Sequence, residues 1–107
     1  MNQTERNIAY REFLRAWGEA SQLIMAVEEA AELQKEITKY LRGEDNLQFI
    51  LEEVADVEVM LEQLKLMFKF PQKVVDEQKE MKINIALEKA KKYTFDVYKK
   101  ESEGEGE

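Results

Sequence analysis

Histidine and cysteine are both missing from this 107-residue chain, and proline occurs once. Without cysteine there is no disulfide staple and no thiolate nucleophile. Without histidine there is no imidazole base and no zinc site built on nitrogen. A metal here must be held by oxygen, which suits magnesium or manganese. Glycine is scarce too, and Gly18, Gly43, Gly104 and Gly106 are too scattered to form a phosphate-cradling loop. Wholly apolar runs last only a few residues, so neither a transmembrane helix nor the core of a secretory signal peptide is available, and the expected location is cytoplasmic. An excess of positive charge is also lacking. The net charge of -7 argues against nucleic acid or an anionic membrane as the main partner, since both reward a basic surface.

What is present is Ala, Leu, Glu, Lys and Gln, an all-helical composition. Thr4 is suited to cap a first helix running to about Trp17, with Gly18 either a break or a tolerated glycine. A second helix is expected over Glu19 to Leu41. Gly43 then suits a left-handed C-cap, and Asp45 or Asn46 suits the cap of a third helix, Leu47 to Phe68. Pro71 fits the first position of a fourth helix reaching about Tyr98. Residues 1–100 are expected to form one helical domain, and the Glu-Gly stretch 101–107 an acidic disordered tail. One core of this size is near the lower limit of comfortable stability, so partner chains are expected to complete it.

Two acidic clusters repeat one pattern: Glu28-Glu29-Ala30-Ala31-Glu32 and Glu52-Glu53-Val54-Ala55-Asp56. On helices, Glu29 and Glu32 share a face, as do Glu53 and Asp56, because residues three apart are neighbours. At about 100° per residue, Phe49, Ile50, Val54, Val57, Met60, Leu61, Leu64 and Phe68 form one arc. Glu53 falls inside that arc and Asp56 on its edge. An unpaired ionised carboxylate is very costly in such a seam. Glu28 and Glu52 project away and read as solvated surface. The short connection Arg42 to Asn46 makes the second and third helices antiparallel, so the two acidic pairs can face each other and four carboxylates converge. A second apolar strip, Leu51, Ala55, Val59 and Leu66, lies opposite the first and calls for a covering partner.

The arrangement Glu-Glu-x-x-Glu followed by Glu-x-x-Asp resembles the MazG-like all-α nucleoside triphosphate pyrophosphohydrolases. The likeness takes in Trp17-Gly18, Gln22, Glu28 to Leu33, Leu41-Arg42-Gly43 and Glu52 to Leu64, within about residues 10 to 70. It implies an antiparallel bundle of about four helices completed by oligomerisation, as a homodimer or homotetramer. It also implies Glu29, Glu32, Glu53 and Asp56 as ligands of Mg2+, with Mn2+ an alternative, and cleavage of a nucleoside triphosphate to a monophosphate and pyrophosphate. The family often holds phosphate with a basic or amide side chain on its last helix, for which Lys79, Lys82 and Asn84 are the candidates here.

With no histidine, a glutamate is the general base to expect, and Glu29 or Glu32 is the choice. Trp17, with Phe13 and Tyr10, is a candidate to stack a nucleobase, and Gln22 to bond its edge. Phe13 is assigned to the core, while Trp17 stands between core and stacking surface. Met25, Met60 and Met67 are assigned to packing. Lys35, Lys39 and Arg42 are within reach of phosphate, with solvated helix surface the role assigned to Lys39. Two rivals stand beside the hydrolase expectation. One is a non-catalytic helical interaction module in which lysines or arginines neutralise the acids. The other is a superfamily relative acting on a phosphoribosyl-nucleotide.

Overall fold

A computed structural model describes residues 1–105, with helices α1 (Gln3–Trp17), α2 (Glu19–Leu41), α3 (Leu47–Met67) and α4 (Gln72–Glu105). No strand is present among the described residues. The chain divides into two units, Met1–Phe70 and the segment beginning at Pro71. The expected tail is helical through Glu105, while Gly106 and Glu107 lie outside the described residues.

α1 is capped by Asn2 rather than by Thr4. The Asn2 side chain accepts from the Glu5 N–H at 2.8 Å, and the Glu5 carboxylate accepts from the Asn2 N–H at 3.1 Å. This reciprocal box satisfies two donors that the first turn leaves open. Gly18 is the break between α1 and α2, at φ 87 and ψ 160. That region of backbone space is essentially closed to residues with a Cβ, so α1 and α2 can meet there only through glycine.

α2 ends in a Schellman motif. The Gly43 N–H donates to the Tyr40 carbonyl at 2.9 Å, the Glu44 N–H donates to the Lys39 carbonyl at 3.1 Å, and Gly43 sits at φ 96. α3 ends the same way without a glycine. Lys69 takes φ 56, its N–H donates to Leu66 at 3.4 Å, and the Phe70 N–H donates to Lys65 at 2.9 Å. Asn46 precedes α3 but makes no side-chain cap. Its amide instead donates to both the Glu36 carbonyl at 2.8 Å and the Glu36 carboxylate at 2.7 Å. The end of α2 is thereby tied to the start of α3.

α2 and α3 make the main interhelical packing of the first unit, and α1 lies against both. Their antiparallel course follows from the partners: Glu36 meets Asn46 at one level, and Glu29 meets Glu53 and Asp56 farther along α3. α1 is pinned across by Tyr10, whose hydroxyl donates to the Glu62 carboxylate, and by Arg6, 3.4 Å from the same carboxylate. The interior of this unit is largely polar. Tyr10 and Met60 are the buried hydrophobic residues, while Gln22, Glu36, Asn46 and Gln63 are buried polar ones. The apolar arc expected to form a sealed seam is open: Phe49, Leu61 and Phe68 are each about half exposed.

α4, the second unit, begins as Pro71 offers its carbonyl to the N–H groups of Val74 and Val75, at 3.0 and 3.2 Å. Pro71 stands one residue before the helix rather than as its first residue. Val74, Met81, Ile83, Ile85, Tyr93 and Phe95 on α4 are all exposed.

Candidate metal centre

The heptad-like recurrence on the facing helices explains what meets what. On α2, Gln22, Glu29 and Glu36 stand seven residues apart, and on α3 so do Asn46, Glu53 and Met60, with Asp56 and Gln63 beside them. Two helical turns separate residues seven apart, so each set lies along one face. Run antiparallel, these faces give a layered polar seam. Glu36 and Asn46 close one end, carboxylates occupy the middle, and the amides of Gln22 and Gln63 lie towards α1.

In the middle layer, Glu29, Glu53 and Asp56 each present an oxygen within 4.8 Å of the other two. Glu29 and Glu53 are half-buried and Asp56 is exposed. One oxygen of Glu53, Oε2, is buried with no hydrogen-bond partner. Several cations of this unit pair elsewhere, among them Arg6 with Glu62, Arg15 with Glu12, Lys39 with Glu36 and Arg42 with Glu44. Among the described residues, no ion pair falls on Glu29, Glu53 or Asp56.

The electrostatics follow from this crowding. Glu29 is pushed above the ordinary carboxylate range, first by burial and then by the charge of Asp56. Glu53 is also raised, first by burial and then by the charges of Asp56 and Glu32. Glu36 shows the opposite sign, because the Asn46 amide bonds to its ionised form and holds its pKa down. Tyr10 is raised to about 12 by burial and by its bond to Glu62.

Of the four carboxylates expected to converge, the structure groups three. Glu32 is exposed one turn along α2 and reaches the group through its charge on Glu53. Trp17 and Gln22 both line a cavity of about 160 Å³ that also includes Glu29 and Asp56. Lys35 is exposed on α2, where its charge acts on Glu36. Lys79 and Lys82 are exposed on α4, in the second unit.

Comparison with known proteins gave no match to any family model, curated protein or solved structure.

The donor set of the site fits a hard divalent cation. Three carboxylates supply only oxygen, the ligand such ions prefer, and Glu53 Oε2 is buried without a hydrogen-bond donor facing it other than a proton shared with Glu29. Sequence reasoning missed Gln63, which is 1% exposed and lines the same cavity. Its seven-residue spacing from Asp56 was the signal, since it places the amide on the same face of α3. Val59, expected on an outer apolar strip, also lines this cavity. Phe13 forms part of the same wall, stacked on Trp17 with ring centroids 5.4 Å apart and planes at 26°. No helix among the described residues is long and apolar enough to cross a membrane.

Proposed function

We propose that this chain is a magnesium-dependent nucleoside triphosphate pyrophosphohydrolase, releasing a nucleoside monophosphate and pyrophosphate, with nucleotide-pool house-cleaning as its role. The observation that carries this reading is the group Glu29, Glu53 and Asp56, with the buried, unsatisfied Glu53 oxygen among them. The resemblance of the paired acidic motif to the MazG-like hydrolases supports the same chemistry. An interaction module held by ion pairs would give Glu53 a lysine or arginine partner. Among the described residues, the ion pairs fall on other acids.

Magnesium is the expected cofactor, with manganese an alternative, and Glu29, Glu53 and Asp56 would hold it. When bound, the cation supplies charge neutralisation for triphosphate oxygens and makes water more acidic. Water attacks the α-phosphorus, the bond to the oxygen bridging to the β-phosphorus breaks, and pyrophosphate leaves. Glu29 takes the water's proton as the general base. Glu32 extends the negative field from the next turn and is the alternative base.

A second copy of the chain completes the fold in this reading. An apolar groove of about 380 Å³, including Leu23, Val27, Val57, Leu61 and Leu64, opens on the first unit, and Val27 and Leu61 are exposed. Contiguous apolar surface of this kind marks an interface.

The direct test is incubation with Mg2+ and each common nucleoside triphosphate, followed by separation of products. Monophosphate and pyrophosphate are expected in equal amounts. Diphosphate with orthophosphate, or no turnover of any triphosphate, overturns the proposal.

A further inference from the structure

The cavity beside the carboxylates holds two polar side chains whose hydrogen-bonding capacity is not met. Gln22 and Gln63 are each 1% exposed, yet Gln22 Nε2 and Gln63 Oε1 are buried with no partner. Leaving a buried donor and a buried acceptor unmade costs the fold the full desolvation of each group. Such an arrangement persists where something else meets them. Both residues line the same cavity, one from α2 and one from α3, so a donor and an acceptor are presented together.

The other walls specify a shape. Phe13 and Trp17 stack on one side, and Met25, Val59 and Met60 make the remainder apolar. Aromatic faces and thioethers favour a flat ring. Trp17 is 59% exposed, so this wall lies at the mouth, from which a ring's substituent can extend. Glu29 and Asp56 border the same cavity, and the candidate metal centre is therefore adjacent. The volume, about 160 Å³, is that of a site for a single six-membered ring. A cavity of about 150 Å³ accommodates benzene, and a fused bicyclic ring needs more.

We propose that this cavity is a pyrimidine subsite, in which Gln22 donates to and Gln63 accepts from adjacent polar groups on the ring edge while Phe13 and Trp17 cover its face. Uracil presents a carbonyl beside its N3–H, and cytosine presents N3 beside its amino group, so each supplies the acceptor and donor the two amides lack. The proposal rests on the hydrolase reading only for the triphosphate attached to that ring. Recognition of the ring itself needs no metal and no phosphate. Gln22 and Gln63 position the ring edge; guanine and adenine present the same acceptor and donor pair, so the cavity volume is what selects the smaller ring, and the substrate class is pyrimidine nucleoside triphosphates.

Trp17 is the sole tryptophan, so its fluorescence reports directly on the mouth of the cavity. The experiment titrates the full chain, in EDTA, with uridine, cytidine, adenosine, guanosine and 3-methyluridine. Saturable quenching by uridine or cytidine is expected, with both purine nucleosides at least tenfold weaker. Methylation at N3 removes the donor and is expected to weaken uridine binding at least tenfold. Gln63→Leu is expected to do the same while keeping the helical circular dichroism. The 3-methyluridine arm decides on unaltered protein should that variant fail to fold. Purines binding as tightly as pyrimidines, 3-methyluridine binding as tightly as uridine, or no saturable response to either pyrimidine overturns the subsite. Because these arms contain neither metal nor phosphate, their failure is separate from failure of triphosphate cleavage.

Discussion

At the scale of single residues, the question is why Glu53 stays in a place that disfavours its charge. It is half-buried, faces Glu29 and Asp56, and leaves one oxygen unsatisfied. A carboxylate so placed is a burden on the fold until a cation meets it. Glu53→Gln therefore has a two-sided expected outcome. The metal-free protein becomes more stable as the like-charge crowding is relieved. Triphosphate turnover falls by at least about a hundredfold, the upper end of the loss seen when even a supporting residue around a bound metal is changed. Thermal melts with and without Mg2+, together with the product assay, measure both. A variant that keeps full turnover removes Glu53 from the site.

The same crowding sets a pH dependence. Glu29 and Glu53 have raised pKa values in the folded state, so between the ordinary value of 4.5 and those raised values the folded protein binds more protons than the unfolded chain. Stability from this source falls as pH rises through that interval. Glu36, with its lowered pKa, acts oppositely: its contribution is present above 4.5 and is lost as pH drops through the lowered value. In EDTA the melting midpoint is expected to be higher near about pH 5 than near about pH 7.5. Saturating Mg2+ should remove or reverse that difference. A midpoint that rises with pH in EDTA contradicts the assigned directions.

At the scale of elements, two helix ends carry the same hydrogen-bond motif on different residues. Gly43 closes α2 at φ 96, and Lys69 closes α3 at φ 56. A Cβ in left-handed backbone costs about 1–2 kcal/mol. Gly43→Ala is accordingly expected to destabilise by about 1 kcal/mol, since the added carbon meets nothing within 4 Å and the penalty is the backbone's alone. Lys69→Gly should move the other way, stabilising by up to about 1 kcal/mol after the greater freedom of the unfolded glycine is allowed for. Urea denaturation of both variants checks the pair, and shifts of the same sign in both would contradict it. The first motif was legible because glycine marks it. The second was not, because Lys69 carries no turn signature and its conformation is imposed by the exit of the chain from α3.

Asn46 shows a related limit. Its place before α3 was legible, but a capping role was the wrong chemistry to infer from it. The amide finds Glu36, ten residues earlier on another helix, and a bond of that kind has no local pattern.

At the scale of the whole molecule, the described chain buries very few large apolar side chains, and several apolar residues of α2 and α3, including Val27, Phe49 and Leu61, are exposed. We expect sedimentation at micromolar concentration to give a dimer or a larger assembly. A monomer would remove the second copy from the proposal. Cation binding should also be visible globally, because a ligand at a hundredfold excess over its Kd stabilises the state that binds it by about 2.7 kcal/mol.

By itself the sequence determined the helical class, the approximate helices, the restriction to oxygen ligands and the repeat of the acidic spacing on two helices. These properties depend on composition and on the 3.6-residue period, both of which are local. Only the tertiary structure decided that Glu29, Glu53 and Asp56 form the close group while Glu32 stays outside it. It also decided that Gln63 joins Gln22 in a polar cavity against Phe13 and Trp17. Those outcomes depend on the register between α2 and α3 and on the placement of α1, which the Asn46–Glu36 and Tyr10–Glu62 bonds fix across the sequence. A one-residue slip rotates a helical face by about 100°, so the period alone cannot choose which side chains meet.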